Sequence, residues 1–170
     1  MPTQGALGLA GFTRLTDRQR MNLLFGVCSS TIWARRVLAG GPFRDVDALL
    51  DRADRVLAEL PDAEIDAALD GHPRIGAKVD NASSAREQAA VATADDAVKA
   101  ELAAKNREYD EKFGYVYLVC ASGRSAQELL DILTDRLHND PETERRVMRS
   151  ELAKINRLRL ERLLSEPASC

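Results

Sequence analysis

The sequence predicts an all-α fold, a bundle of about eight helices. Ala, Leu, Arg and Glu, all good helix formers, are abundant, and aromatic residues make up only 5% of the chain. Helix-start signatures recur as well. Thr16 is followed three residues later by Gln19, Ser84 by Glu87, and Ser125 by Glu128. At that spacing the two side chains can satisfy backbone donors that a helix start leaves orphaned.

The first helix is expected over 17–28, opening at Thr16, and the second over 30–39, closed by Gly40-Gly41-Pro42. A third, over 45–59, is separated by Pro61 from a fourth over 62–70. Gly71 suits the left-handed position just past that helix, with His72-Pro73 leading the chain away. Helices over 84–92 and 95–112 follow. The run from Gly114 to Cys120 is apolar, β-branched and aromatic, but it has no partner strand, so a buried irregular or helical connector is expected. The last two helices are placed at 125–138 and 141–164, the latter behind an N-cap acid and a proline, Asp140-Pro141. No repeat, low-complexity tract or linker interrupts the chain. One domain is expected over 1–170, with its core over about 12–164.

Composition excludes several function classes. Against 24 Lys and Arg stand 27 Asp and Glu, for a net charge of −3, which lacks the basic footprint of a nucleic-acid surface. A chain that is 45% hydrophobic and 30% charged is globular, and at 170 residues it buries roughly 70% of its unfolded surface. No apolar run approaches the ~18–20 residues of a membrane span. The opening MPTQGALGLAGF lacks the basic start of a secretory signal, and the closing SEPASC is not the Ser-Lys-Leu peroxisomal address. Cys28, Cys120 and Cys170 are odd in number and scattered, which argues for a reducing compartment, the cytoplasm, over a disulfide framework. The partner expected is a small-molecule substrate, not a nucleic acid or a membrane.

Few residues can carry chemistry. His138 ends a helix beside Asn139-Asp140, where a solvated role at the helix C-terminus is expected. His72 lies in Gly71-His72-Pro73-Arg74-Ile75-Gly76, a turn whose proline restricts its backbone. A histidine fixed on a loop suits general acid–base work, but by itself it more often has a structural or surface role. Glu87 reads either as the second half of a capping box with Ser84 or as a carboxylate facing a cleft. In the last helix Met148, Leu152 and Ile155 form one apolar stripe, which Arg159 continues four residues on. A guanidinium on such a stripe is paired with an anion or snorkels to solvent. There is no HExxH, histidine pair or cysteine cluster for a metal, no GxGxxG or P-loop for a nucleotide cofactor, and no GxSxG nucleophile. No metal and no cofactor are expected.

These residues carry a family resemblance. His72-Pro73-Arg74-Ile75-Gly76, Ser84-x-x-Glu87-Gln88, Phe113-Gly114-Tyr115-Val116-Tyr117, Gly123-Arg124-Ser125 and Lys154-Ile155-x-x-Leu158-Arg159-Leu160 occur in this order. With Trp33 and Gly41-Pro42-Phe43 upstream, the chain resembles the 2-oxo-4-hydroxy-4-carboxy-5-ureidoimidazoline (OHCU) decarboxylases over roughly residues 12–164. The resemblance implies an all-α fold, a homodimer and a cofactor-free carboxy-lyase that forms (S)-allantoin in urate breakdown. It implies catalytic roles for His72, Glu87 and Arg159, with Pro73, Ser84, Gln88 and Arg124 near the substrate. Arg157 competes with Arg159, which keeps the Leu-Arg-Leu register. Two positions depart from the family's pattern: Gly41 stands where many members carry arginine, and His-Pro-Arg-Ile-Gly replaces a His-Pro-Asp-Leu form. They leave open urate breakdown or a related purine route, and a related enzyme acting on another ureido or imidazoline compound is the alternative within enzymes. A helical protein-interaction module is a reading from another class, and it leaves the ordered motifs unexplained.

Overall fold

Ten helices follow one another, and no strand forms among the residues described. The computed structural model describes residues 7–70, 72, 74–76 and 82–165, with 82–84 as helix backbone only. The sequence-based readings at Gly71, Pro73, the first six residues and the last five therefore lie outside the described residues. The chain divides into two compact units, Met1–Ala68 with Ala153–Cys170, and Leu69–Leu152.

The first unit holds α1 (Gly8–Arg14), α2 (Asp17–Val27), α3 (Thr31–Ala39), α4 (Val46–Glu59) and nearly all of α5 (Asp62–Leu69). Polar caps set the starts. Thr16 and Gln19 form the expected reciprocal box, Ser30 accepts the Trp33 N–H, and Asp45 accepts the Ala48 N–H at 2.7 Å. Helix α3 packs against α2 and α4. Helix α4 buries Leu49, Leu50, Ala53, Val56 and Leu57, the three-and-four spacing of one helical face. Trp33 is fully buried, and its indole N–H donates to the Ala53 carbonyl at 3.2 Å. A buried indole needs such an acceptor.

The second unit holds α6 (Ala82–Glu87), α7 (Ala89–Ala92), α8 (Asp96–Phe113), α9 (Ala126–Arg136) and the first half of α10 (Pro141–Ser165). Helix α8 stops at Gly114, whose φ of +80° is the left-handed conformation that glycine adopts without strain. The residues that follow form the irregular connector expected from sequence, with Tyr117, Leu118 and Val119 buried. Its backbone is anchored by side chains from the helices. The Arg136 guanidinium donates to the Leu118 carbonyl at 2.6 Å, and the Cys120 N–H donates to Glu151 at 3.3 Å. The Tyr117 hydroxyl donates to the Leu129 carbonyl at 3.0 Å. Ile75, Val91, Leu102, Tyr109, Leu129 and Leu133 belong to the core of this unit.

A polar knot lies inside that core. Arg136 donates to Glu144 through Nε at 2.7 Å and through Nη2, while the Tyr109 hydroxyl donates to the same carboxylate at 2.6 Å. Asn139 reaches the other carboxylate oxygen at 3.0 Å. The Arg136 guanidinium also lies 5.0 Å from the Tyr117 ring centroid.

Three local expectations change. Helix α1 was not anticipated: it carries two glycines and no side-chain cap, so sequence gives it little signal. The helix expected over 84–92 is two short helices broken at Gln88, whose backbone is non-helical. Finally, α6 begins at Ala82, so Ser84 lies inside it and is not the N-cap. The Ser84–Glu87 capping box is thus replaced by a helix that starts earlier and ends at Glu87. Ser125 and Glu128 do form their box, and Asp140 caps α10 by accepting the Thr143 N–H at 2.8 Å. That bond, reinforced by the Thr143 hydroxyl, holds the Asp140 carboxyl below its usual range.

Candidate functional site

His72 and residues 74–76 lie outside the helices, and hydrogen bonds or an ion pair tie each of them. The His72 N–H donates to the Leu69 carbonyl at 2.9 Å, closing the turn after α5, and its side chain is half-buried. Beyond it, Arg74 forms an ion pair with Asp110 of α8. The Ile75 carbonyl accepts the Asn106 amide at 3.1 Å, and the Gly76 N–H donates to the Gln88 side chain at 3.1 Å. Gly76 has φ +87°, so a side chain there would strain the turn although space is available around it. Two elements thus hold this loop: α8, and the break between α6 and α7.

Glu87, the last residue of α6, is half-buried. His72 and Glu87 both belong to the second unit. Gln88, expected near the ligand, is buried and uses its amide oxygen on the Gly76 N–H. Arg124 donates to the Cys120 carbonyl at 3.2 Å and stands 3.8 Å from Glu128, which closes the turn before α9. Pro73 and the Ser84 side chain lie outside the described residues.

The two candidate arginines of α10 belong to the first unit and differ sharply. Arg157 pairs with Asp54 at 2.9 Å and Asp51 at 3.1 Å, both on α4. Its hydrogen bonds to Asp54 hold its pKa above the usual arginine value. Arg159 is buried, at 8% exposure, and its Nη1 donates to the Val27 carbonyl at 3.1 Å. The stripe of Met148, Leu152 and Ile155 is buried too, so the guanidinium continues it inward and does not snorkel. A buried guanidinium can offer forked donors to an anion or carbonyl from a water-poor setting.

Among the described residues no helix is long and apolar enough to cross a membrane, and no group of three or more His, Cys, Asp or Glu side chains is placed to hold a metal ion.

A family model described as OHCU decarboxylase matches residues 13–161. The chain belongs to the OHCU decarboxylase family. Among curated relatives, it is 37% identical over 86 residues to the uric acid degradation bifunctional protein TTL of Arabidopsis thaliana, covering 51% of this chain and 26% of that protein. It is 32% identical over 94 residues to the 2-oxo-4-hydroxy-4-carboxy-5-ureidoimidazoline decarboxylase of Amia calva, covering 55% of this chain and 54% of that one. The chain therefore spans about a quarter and about half of the lengths of these relatives. A crystal structure of OHCU decarboxylase in the presence of (S)-allantoin superposes with a TM-score of 0.76 at 27% identity, covering 89% of this chain and 100% of that one. A crystal structure of (S)-allantoin synthase gives a TM-score of 0.75 at 15% identity, covering 92% of this chain and 54% of the other, which shows a shared fold. The all-α expectation is met, with ten helices among the described residues where about eight were expected.

Sequence reasoning missed most of the buried polar residues, of which Asn106 holds the Ile75 carbonyl beside the candidate site. Asn106, Arg136, Glu144, Glu151 and Asn156 are all buried. The signal that singled out Arg159 was available for two of them. Arg136 follows Leu129 and Leu133 at helical spacing, and Glu144 precedes Met148 by four.

Proposed function

We propose that this protein decarboxylates OHCU to (S)-allantoin without a cofactor, as a carboxy-lyase of urate breakdown. The family match across residues 13–161 carries this reading, since it spans the positions of His72, Glu87 and Arg159. The chemistry needs no external electron sink. The substrate has a carboxylate and a hydroxyl on one ring carbon, next to a C=N bond. When the C–C bond to the carboxylate breaks and carbon dioxide leaves, its electron pair forms a C=C bond to the neighbouring ring carbon, and the C=N pair moves onto the ring nitrogen, which takes up a proton. The hydroxyl then gives up its proton to become the ring carbonyl. A proton added to one face of the neighbouring carbon yields the (S) product.

Arg159 is assigned to an anionic or carbonyl part of the substrate, and its buried guanidinium supports the role. His72 and Glu87 are assigned to proton transfer at the hydroxyl, supported by the anchored loop that carries His72 and the end of α6 that carries Glu87. Pro73, Ser84, Gln88 and Arg124 are assigned to the surroundings of the substrate. We also propose a homodimer, on the family resemblance, and a cytoplasmic location, on the odd number and scatter of Cys28, Cys120 and Cys170. Light scattering and cell fractionation test these two.

The substrate decays spontaneously, so the test generates it in the cuvette from urate with uricase and the following hydrolase. Circular dichroism then follows the appearance of chiral allantoin. Rapid (S)-allantoin formation, lost in His72→Ala by a factor of at least ~10², is the expected result. No acceleration by the folded protein would overturn the reading and leave a related ureido or imidazoline substrate to be sought.

A further inference from the structure

Asn156 is 2% exposed, and both its side-chain nitrogen and its side-chain oxygen lack a hydrogen-bond partner. No other described residue has two orphaned polar atoms among the buried groups of this kind. Leaving one donor and one acceptor unsatisfied is costly, so such a residue needs an explanation. Asn156 sits three residues before Arg159 on α10, the spacing that puts two side chains on one helix face. Arg159 in turn contacts the Val27 carbonyl, next to the buried Cys28. The Cys28 thiol interacts with the Asn156 amide, which pulls its pKa down, and feels the Arg159 charge, but the contact falls short of full hydrogen-bond geometry. The amide is thus already stripped of water beside the guanidinium.

We propose that Asn156 is a second substrate contact next to Arg159, and that it binds the ureido group. The two side chains offer different chemistry. Arginine presents donors alone, which suit a carboxylate or carbonyl oxygen. A carboxamide presents one donor edge and one acceptor, which pair with the N–H and C=O of a ureido group. The proposal rests on the reading of Arg159 as a substrate-binding residue, and it adds what distinguishes this substrate from a ring that lacks the ureido arm.

The test compares wild type with Asn156→Ala on the in-cuvette reaction. Allantoin, and hydantoin as the same ring without the ureido group, serve as competing ligands. The expected result is KM raised and allantoin binding weakened by about tenfold, the loss of roughly one to two hydrogen bonds. Hydantoin binding and thermal midpoint should be unchanged or, for the midpoint, raised. Equal effects on allantoin and hydantoin, or unchanged kinetics with a lowered midpoint, would overturn the proposal in favour of a purely structural amide. Arg159→Ala separates the two readings. If it is inactive while Asn156→Ala behaves as wild type, the ureido contact alone is wrong. If it retains full activity, or wild type binds neither ligand, the parent reading falls as well. Should Asn156→Ala not fold, Asn156→Thr carries the same comparison.

Discussion

The Gln88 side-chain oxygen accepts the backbone N–H of Gly76 at 3.1 Å, joining the residue after Glu87 to the loop that carries His72. One hydrogen bond therefore couples the two segments assigned to proton transfer. In Gln88→Leu the Gly76 amide should lose its partner and exchange its hydrogen faster. Turnover should fall by about 10–100-fold through misplacement of His72, since small displacements of catalytic groups are expensive in rate. Amide exchange by NMR and steady-state kinetics check this together, and wild-type exchange at Gly76 would refute it.

The ion pair of Arg136 with Glu144 is buried on both sides, with Glu144 at 0% and Arg136 at 5% exposure. Glu144→Leu leaves an uncompensated cation in the core and should cost about 3–5 kcal/mol, read from urea unfolding by far-ultraviolet circular dichroism. Arg136→Met in the same chain should restore part of that loss, because two apolar residues need no partners. The cost is large for a physical reason: Arg136 also holds the Leu118 carbonyl, and Tyr109 donates to Glu144.

Arg157 and Arg159 should separate cleanly by mutation. Arg157→Ala removes half-exposed pairs with Asp51 and Asp54, worth at most about 1 kcal/mol each, and should leave activity near wild type. Arg159→Ala should lower kcat/KM by at least ~10²-fold, the order of one lost charged contact in a dry site. Reversed results would exchange the two roles.

Burial pushes the Cys28 thiol up from 9.0 to about 11, against the opposing pull of Asn156 and Arg159. Below pH 9 the thiol is protonated in both folded and unfolded chains. Between about pH 9 and 11 only the unfolded chain ionises, so folding stability should fall across that window, by on the order of 2–3 kcal/mol. Tyr109 and Tyr117, also raised by burial, extend the decline to higher pH. Cys28→Ala should flatten the first part of an unfolding-free-energy curve against pH. Native Cys28 should also resist alkylation near neutral pH until the chain is unfolded.

Much of this was legible beforehand, for identifiable reasons. Helices with a polar cap and an apolar stripe, such as α2, α4 and α9, are written locally in spacing and end signals. The connector after Gly114 was legible because a lone apolar run has no strand to pair with. What escaped depends on distant partners. Helix α1 has no cap to announce it. Ser84 and Glu87 match a capping box in spacing, but helix α6 starts two residues earlier. The orphaned amide of Asn156 and the knot at Glu144 are properties of burial, which one residue's identity does not reveal.

The single tryptophan, Trp33, is sealed in the first unit, while all three tyrosines, at 109, 115 and 117, belong to the second. The chain thus carries two separate optical reporters. Tryptophan emission reads the environment of α3, whereas the tyrosine part of the near-ultraviolet dichroism reads the second unit. A fluorescence melt alone would register a defect at Arg136 or Glu144 only as far as the two units unfold together. Disagreement between the two signals would measure their cooperativity directly.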